Sequence, residues 1–265
     1  MFKIVVCIKQ VPDTTDIKWT ENNTIQREGL DSIINPYDLS AIQTAIEIKK
    51  NLKDVEIIAV SMGPAQASDA LNYAIALGCD DAYLLNDKKF AASDTLATAY
   101  TLSLFVQKYV PDFKLIICGQ QAVDGDTAQT PSSLAEKLCI PQLTNCKKIN
   151  EVSDNTLNVT TENKHEICEV IITLPALIAI DVQGTYLHPK INDFIKAQNK
   201  SVIELSAADL SADFTKIGIK GSPTYVKAAF RAVKSRINNQ VITNSIDETA
   251  EALMREINLC KEANE

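Results

Sequence analysis

Four short apolar runs, at residues 3–9, 55–60, 81–85 and 115–118, recur through the first half of the chain, and each gives way to a polar turn and then a helix-like segment. Near-continuous apolar runs of this length are the pattern of strands buried on both faces. Strand and helix therefore alternate four times, which a chain satisfies with a parallel sheet joined by right-handed crossovers. Ligands of such sheets bind beyond the carboxyl ends of the strands, where strand order reverses. Interest falls on three polar, turn-rich loops, those after Lys9, Val60 and Cys118.

The helix starts are well marked. Asn35-Pro-Tyr-Asp38 reads as an N-cap, a proline at the first helical position and a capping-box-like acid, opening a helix over 39–52 with Leu39, Ile42, Ala45 and Ile46 on its apolar face. Capping alone accounts for Asn35 and Asp38. The turn Ser61-Met-Gly-Pro64 leads into a helix over 65–77 that stops at Gly78, and Asp94 caps a helix over 95–109. Capping alone would likewise explain Asp94 and Thr95.

After the fourth run Gly119 ends the strand, and the loop Gln120-Gln-Ala-Val-Asp-Gly-Asp-Thr-Ala-Gln129 meets Thr130 and Pro131, read as N-cap and first helical residue. A helix N-terminus carries partial positive charge and free amide donors, which suits a phosphate. Asp124 and Asp126 would repel one, so they are expected to bond loop amides, a ribose hydroxyl or a basic side chain. An ordinary acidic surface turn uses the same residue types.

Past Pro141 the pattern changes to an antiparallel meander over 142–149, 156–162 and 167–174, followed by an apolar run at 176–182, a short helix over 191–199 and a last strand at 201–205. Beyond Ser206 the apolar periodicity is too weak for a second core. Only Ser245-Ile-Asp-Glu248 stands out, a capping box for a terminal helix with Ile246, Ala250, Leu253, Ile257 and Cys260 in one stripe. The chain thus divides into an α/β domain, 1–205, and an arm, 206–265, that packs on another surface or folds back on its own domain. The excursion containing Trp19, between the first strand and Ile34, either lines a site or forms a surface hairpin.

Composition excludes several classes. A net charge of -8 and a pI near 4.9 argue against a nucleic-acid partner. No run of 18 apolar residues exists to span a membrane, and the N-terminal apolar patch is too short for a signal peptide. Seven cysteines without a Cys-x-x-Cys spacing point to a reducing cytoplasm, and His165 and His188 are too few for a zinc site.

The stretches Val6-Cys-Ile-Lys-Gln-Val-Pro-Asp13, Asn35-Pro-Tyr-Asp-Leu-Ser-Ala41, Ala59-Val-Ser-Met-Gly-Pro-Ala-Gln66, Ala76-Leu-Gly-Cys-Asp80 and Gly119-Gln-Gln-Ala-Val-Asp-Gly-Asp-Thr-Ala-Gln-Thr130 resemble the β subunit of electron transfer flavoproteins, through most of residues 1–182. The resemblance implies an α/β parallel-sheet nucleotide-binding domain of the adenine nucleotide α-hydrolase-like type, with added antiparallel strands and a C-terminal arm packing on the partner subunit. It implies a heterodimer whose α subunit carries a redox FAD while this chain holds an adenine nucleotide. In ordinary members that ligand is structural AMP, which supports the α-subunit FAD domain. In electron-bifurcating members, associated with anaerobic metabolism, it is a second FAD that accepts hydride from NADH. The electrons then part, one to ferredoxin or flavodoxin and one through the α-subunit FAD to a flavin-dependent dehydrogenase. Asp124-Gly-Asp-Thr127 and Phe90-Ala-Ala-Ser-Asp-Thr-Leu-Ala-Thr98 look more like the second group.

Carried over position by position, the nucleotide contacts implied by the resemblance fall on Cys7 and Lys9, on Asn35 and Asp38, and on Ser61, Met62 and Gly63. They continue on Gly119, Gln120, Asp124, Gly125, Asp126, Thr127, Gln129 and Thr130. Asp94, Thr95 and Thr98 would present hydroxyls and amides together at a helix start. The chain departs from the family over Tyr186-Leu-His-Pro-Lys-Ile-Asn-Asp-Phe-Ile-Lys-Ala197, which lacks the basic run of the dehydrogenase-recognition loop. It also lacks a glycine-rich turn within 161–169. An ATP-using ligase-like reading would want a Ser-Gly-Gly-x-Asp-type loop after the first strand, and none follows.

Overall fold

The computed structural model describes residues 1–13, 32–184, 188–226 and 245–262, and side chains through Arg255 in the last segment. Trp19 and its excursion, Tyr186, and the side chains of Ile257 and Cys260 lie outside the described residues.

The chain opens with β1 (Phe2–Cys7), and β2 (Gln10–Pro12) and β3 (Ser32–Ile34) form a small antiparallel ribbon. Then come α1 (Pro36–Asn51), β4 (Val55–Met62), α2 (Ser68–Leu77), β5 (Asp81–Leu85), α3 (Thr95–Tyr109), β6 (Leu115–Gly119) and α4 (Thr130–Leu138). The second half holds β7 (Gln142–Val152), β8 (Thr156–Glu162), β9 (Ile167–Thr173), β10 (Ala176–Ile180), α5 (Ile191–Gln198), β11 (Ile203–Leu205) and α6 (Ile246–Glu262). The helix expected from residue 65 begins as a 3-10 turn, Ala65–Ala67, and becomes α-helical only at Ser68. It ends as expected at Gly78, whose φ of 133° is left to glycine.

Nine strands make one sheet in the order β11-β5-β4-β1-β6-β10-β7-β8-β9. All its pairings are parallel except β7 with β8 and β8 with β9, the expected meander. The alternation of side chains along the strands splits the core in two. Ile4 and Val6 of β1, Ile57 and Ala59 of β4, and Leu115 and Ile117 of β6 join Leu39, Ile42 and Leu71 from α1 and α2. Val5, Ile58, Val60 and Ile116 join Phe105 and Val106 of α3 and Leu134 of α4 on the other face. Each fully buried side chain of this size stabilises the fold by about 1.5–3 kcal/mol relative to exposure, so the sheet is well anchored beneath its loops.

Residues 206–226 belong to the same body, because Ala207, Leu210 and Ile217 are buried on the α3–α4 face. The compact unit runs Met1–Lys227 and passes the 205/206 boundary drawn from apolar periodicity; Ala228–Glu265 forms a second unit. Three buried apolar side chains in twenty-one residues give no periodicity, yet they suffice to dock a segment onto a core built elsewhere. In the second unit Ser245 and Glu248 make the expected capping box, the Ser245 hydroxyl and amide both donating to the Glu248 carboxylate at 3.1 and 3.2 Å. No helix among the described residues is long and apolar enough to cross a membrane.

Candidate functional site

The strand order reverses between β1 and β6. From β1 the chain passes through α1 to β4 on one side, and from β6 it passes through α4 toward β7 and β10 on the other. Since α1 and α4 pack on opposite faces, the loops leaving β1 and β6 part and leave a crevice at their carboxyl ends.

Asp38 ties this crevice together. Its carboxylate accepts from the Lys9 amide at 2.8 Å and the Gly119 amide at 3.1 Å, joining the two strand exits. Asn35 does the same for the rest of the loop, its amide donating to the Gln121 carbonyl at 2.8 Å and its oxygen accepting from the Val123 amide at 3.2 Å. The expected capping roles are therefore corrected. Asn35 occupies the N-cap position and its backbone carbonyl accepts from Asp38 and Leu39, but its side chain makes no cap bond. A cap side chain is free to leave its helix when a distant loop offers better-placed donors. Burial pushes the Asp38 carboxyl up to about 7, against hydrogen bonds from Asn35, Lys9 and Gly119 that pull it down. Gly119 has to be glycine: a Cβ there would lie 2.3 Å from Asp38 Oδ1 and 2.7 Å from Tyr37 Cβ.

The two loop acids are accounted for. Asp124, its side chain 3% exposed, accepts from Lys9 Nζ at 2.6 Å. Asp126 takes a left-handed conformation (φ 51°), its amide and that of Gly125 bonding the Ala122 carbonyl, and its carboxylate accepts from the Gln121 amide. Both acids bond partners within the crevice, as one of the sequence alternatives required. Ala128 is also left-handed, and Thr127 is exposed.

The entry to α4 sits one residue earlier than the sequence indicated, with Gln129 as N-cap, Thr130 first in the helix and Pro131 second. Proline is tolerated at either position because neither amide has an intrahelical acceptor. Thr130 and Ser132 are left as the first-turn donors. Thr95 Oγ donates to Gln129 Oε1 at 3.1 Å, linking the start of α3 to that of α4. Asp94 caps α3 as expected, Oδ1 accepting from Leu96 and Ala97, while Oδ2 accepts from the amide and hydroxyl of Thr224. Partial burial pushes the Asp94 carboxyl up, but these bonds outweigh it and hold it below its ordinary value. The Thr98 amide closes that turn on the Asp94 carbonyl.

At the end of β4 Ser61 is buried, Met62 is half-buried, and the Gly63 amide bonds the Leu85 carbonyl. The Ile8 amide bonds the Val60 carbonyl, so this loop adjoins the exit of β1. Cys7 and Cys118 are register partners there, and a hydrogen bond with Cys7, with burial, raises the Cys118 thiol well above its ordinary value. It is not a thiolate nucleophile. Gln120 turns away from this group, its oxygen accepting from the Asn145 amide of β7 at 2.9 Å.

Residues not singled out from the sequence also take part. Gln121 holds Asp126, and Ser222 and Thr224 bond Asp94 from about 130 positions away, a distance no local pattern reveals. Gln10 is buried and donates to the Gln66 carbonyl at 3.1 Å, bridging the loops after β1 and β4. A glutamine next to Lys9 at the start of a polar loop is an ordinary turn residue, so the sequence held no signal for its burial.

Fold and loops together define a class: a parallel α/β domain with its polar loops gathered at a topological switch point. Residues 22–210 match the electron transfer flavoprotein domain. The chain is 41% identical over 235 residues to an electron transfer flavoprotein subunit beta of Megasphaera elsdenii, covering 86% of this chain and 87% of that one. It is 40% identical over 259 residues to the subunit beta of Thermoanaerobacterium thermosaccharolyticum, covering 96% and 97%. At 33% identity over 259 residues, covering 96% and 97%, it is similar to the caffeyl-CoA reductase-Etf complex subunit CarD of Acetobacterium woodii. The chain belongs to the electron transfer flavoprotein β-subunit family, whose members pair with an α subunit in electron transfer.

Proposed function

We propose that this chain is the β subunit of an electron-bifurcating flavoprotein and holds FAD in the crevice between β1 and β6. The Lys9–Asp124 pair carries the proposal. An anionic ligand is incompatible with bare carboxylates, and here the more deeply buried acid of the loop is neutralised by a lysine from the neighbouring strand exit. The donors of Thr127, Thr130 and Ser132 then remain for a pyrophosphate at the start of α4. Gly119, which leaves room for the Asp38 carboxylate, lets that carboxylate hold the two strand ends beneath the loop.

A flavin bound here supplies hydride acceptance from NADH and the delivery of two electrons by separate routes. The chain's residues bind and orient it: Asn35 and Asp38 fix the loops, and Thr95 and Gln129 fix the two helix starts against each other. The partners this reading implies would be ferredoxin or flavodoxin on one route and, by way of the α-subunit FAD, a flavin-dependent dehydrogenase on the other. The name of the Acetobacterium relative, part of a reductase–Etf complex, supports a partner of that kind. We assign the second unit, with Ile246, Leu253 and Met254 exposed on α6, to packing on the α subunit.

The test is cofactor content. The purified heterodimer should carry two flavins, and Asp126→Ala with Thr127→Ala should remove one while the α-subunit flavin stays. One flavin together with bound AMP refutes the FAD reading in favour of a structural AMP-holding subunit. Unchanged content in the double variant removes this loop from the site.

A further inference from the structure

We infer that Cys7 and Cys118 form a reversible disulfide at the floor of the crevice when a hydroperoxide reaches Cys7, and that this bond and a bound nucleotide exclude each other; the second half rests on the nucleotide reading above. The two are free thiols and register partners on neighbouring parallel strands, Cys7 the last residue of β1 and Cys118 the last but one of β6. Both pack on the α3–α4 face of the sheet, so their side chains project to the same side. Strand spacing sets such partners about 4.8 Å apart, within the span of about 4.4–6.8 Å between the Cα atoms of a disulfide. No other two cysteines among the described residues are register partners. Access to the pair is one-sided, since Cys7 is half-buried and Cys118 only 5% exposed. The peroxide oxygen therefore transfers to the Cys7 sulfur, giving a sulfenic acid and one water. The Cys118 sulfur then attacks that of Cys7, and its proton leaves with the hydroxyl as a second water. Two thiols give up two electrons and the peroxide ends as two waters. A hydrogen bond already links the pair and keeps Cys118 protonated until that step. Exchange with a small thiol reverses the bond.

Closing the bond moves the site. Cβ atoms set at about the strand spacing of 4.8 Å must come to about 3.8 Å, so the exits of β1 and β6 are drawn together. Those exits carry Lys9 and Gly119, whose amides share the Asp38 carboxylate at 2.8 and 3.1 Å. Gly119 has no slack, because even a Cβ there would lie 2.3 Å from Asp38 Oδ1. The displacement therefore passes to Asp38 and, through Lys9, to Asp124 in the loop after β6. Linkage makes the effect mutual: whatever factor the disulfide takes from nucleotide affinity, a bound nucleotide takes from disulfide formation, within the range of about 5–150-fold usual for such coupling.

The experiment uses the heterodimer freed of this chain's nucleotide, with hydrogen peroxide as the oxidant and AMP as the probe. After oxidation and blocking of the remaining thiols, peptide mass mapping should show the Cys7 and Cys118 peptides joined, and dithiothreitol should part them. AMP affinity measured by calorimetry should fall about tenfold or more on oxidation and recover on reduction. In a glutathione redox buffer, saturating AMP should shift the equilibrium toward the thiols by the same factor. Cys118→Ala should leave Cys7 as a sulfenic acid that dimedone traps, with no joined peptide, and Cys118→Ser should do the same if the alanine variant does not fold. Oxidation that reaches the exposed Cys139 but joins no Cys7 peptide to Cys118 overturns the disulfide. A joined peptide with unchanged AMP affinity, or one formed as readily in saturating AMP, overturns the exclusion. A reduced wild type that does not bind AMP overturns the nucleotide reading itself, while the peptide map still decides the disulfide.

Discussion

Asp38→Asn tests whether a buried carboxylate governs the crevice. The Asp38 carboxyl titrates near 7 instead of 3.8, because burial penalises its charged form more than the bonds from Asn35, Lys9 and Gly119 compensate. At 1.36 kcal/mol per tenfold change, that costs the folded state on the order of 4 kcal/mol once the group is ionised. Between about pH 4 and pH 7 the folded chain keeps a proton the unfolded chain has lost, so this contribution makes stability fall as pH rises through that window. From pH 5 to pH 8 the loss is about 2–3 kcal/mol. Asparagine cannot titrate, but its amino group must confront the Lys9 or the Gly119 amide, which leaves one donor unpaired at a cost of about 1–3 kcal/mol. The variant should therefore be less stable than wild type at pH 5 and draw level near pH 8. Urea unfolding of the nucleotide-free full chain at intervening pH values measures both, and the difference between the two proteins cancels the other ionisable groups. A difference independent of pH would refute the argument.

Two further substitutions probe the same loops. Gly119→Ala should cost about 1–3 kcal/mol or more by overpacking, since its Cβ would meet Asp38 and Tyr37, whereas Gly125→Ala, with nothing within 4 Å of its Cβ, should leave the urea midpoint unchanged. Lys9→Met strands the nearly buried Asp124 carboxylate, and because Lys9 stays partly in water the loss should be about 1–3 kcal/mol, short of that for a wholly buried pair. Adding Asp124→Asn should recover most of that loss, and a double variant no better than the single would show that the pair does not hold the loop.

The parallel sheet was legible because its strands are apolar on both faces and short, so periodicity located β1, β4, β5 and β6 and the meander, and the order of the loops followed. The start and end of α3 were legible for a local reason: Asp94 caps the helix it precedes. Asn35 and Asp38 satisfy the same local rule and do something else, because amides of Lys9, Gly119 and Val123 reach them through the fold. Sequence spacing cannot rank a near donor against one about 80 positions away. The docking of residues 206–226 was hidden in the same way, as Ala207, Leu210 and Ile217 complete a core whose other side chains lie far back in the chain.

The acidic loop after β6 illustrates why counting charges misleads at such a site. Asp124 is paired with Lys9, Asp126 is held by Gln121, and burial raises the Asp38 carboxyl to about 7, which weakens its charge near neutral pH. Three carboxyl groups around one crevice therefore present far less negative field than their number implies. What is left facing outward is the first turn of α4, with the Thr130 and Ser132 amides at the positive end of the helix. The local field there is set by donors that carry no formal charge, so a chain with a net charge of -8 is able to offer an anion a favourable seat.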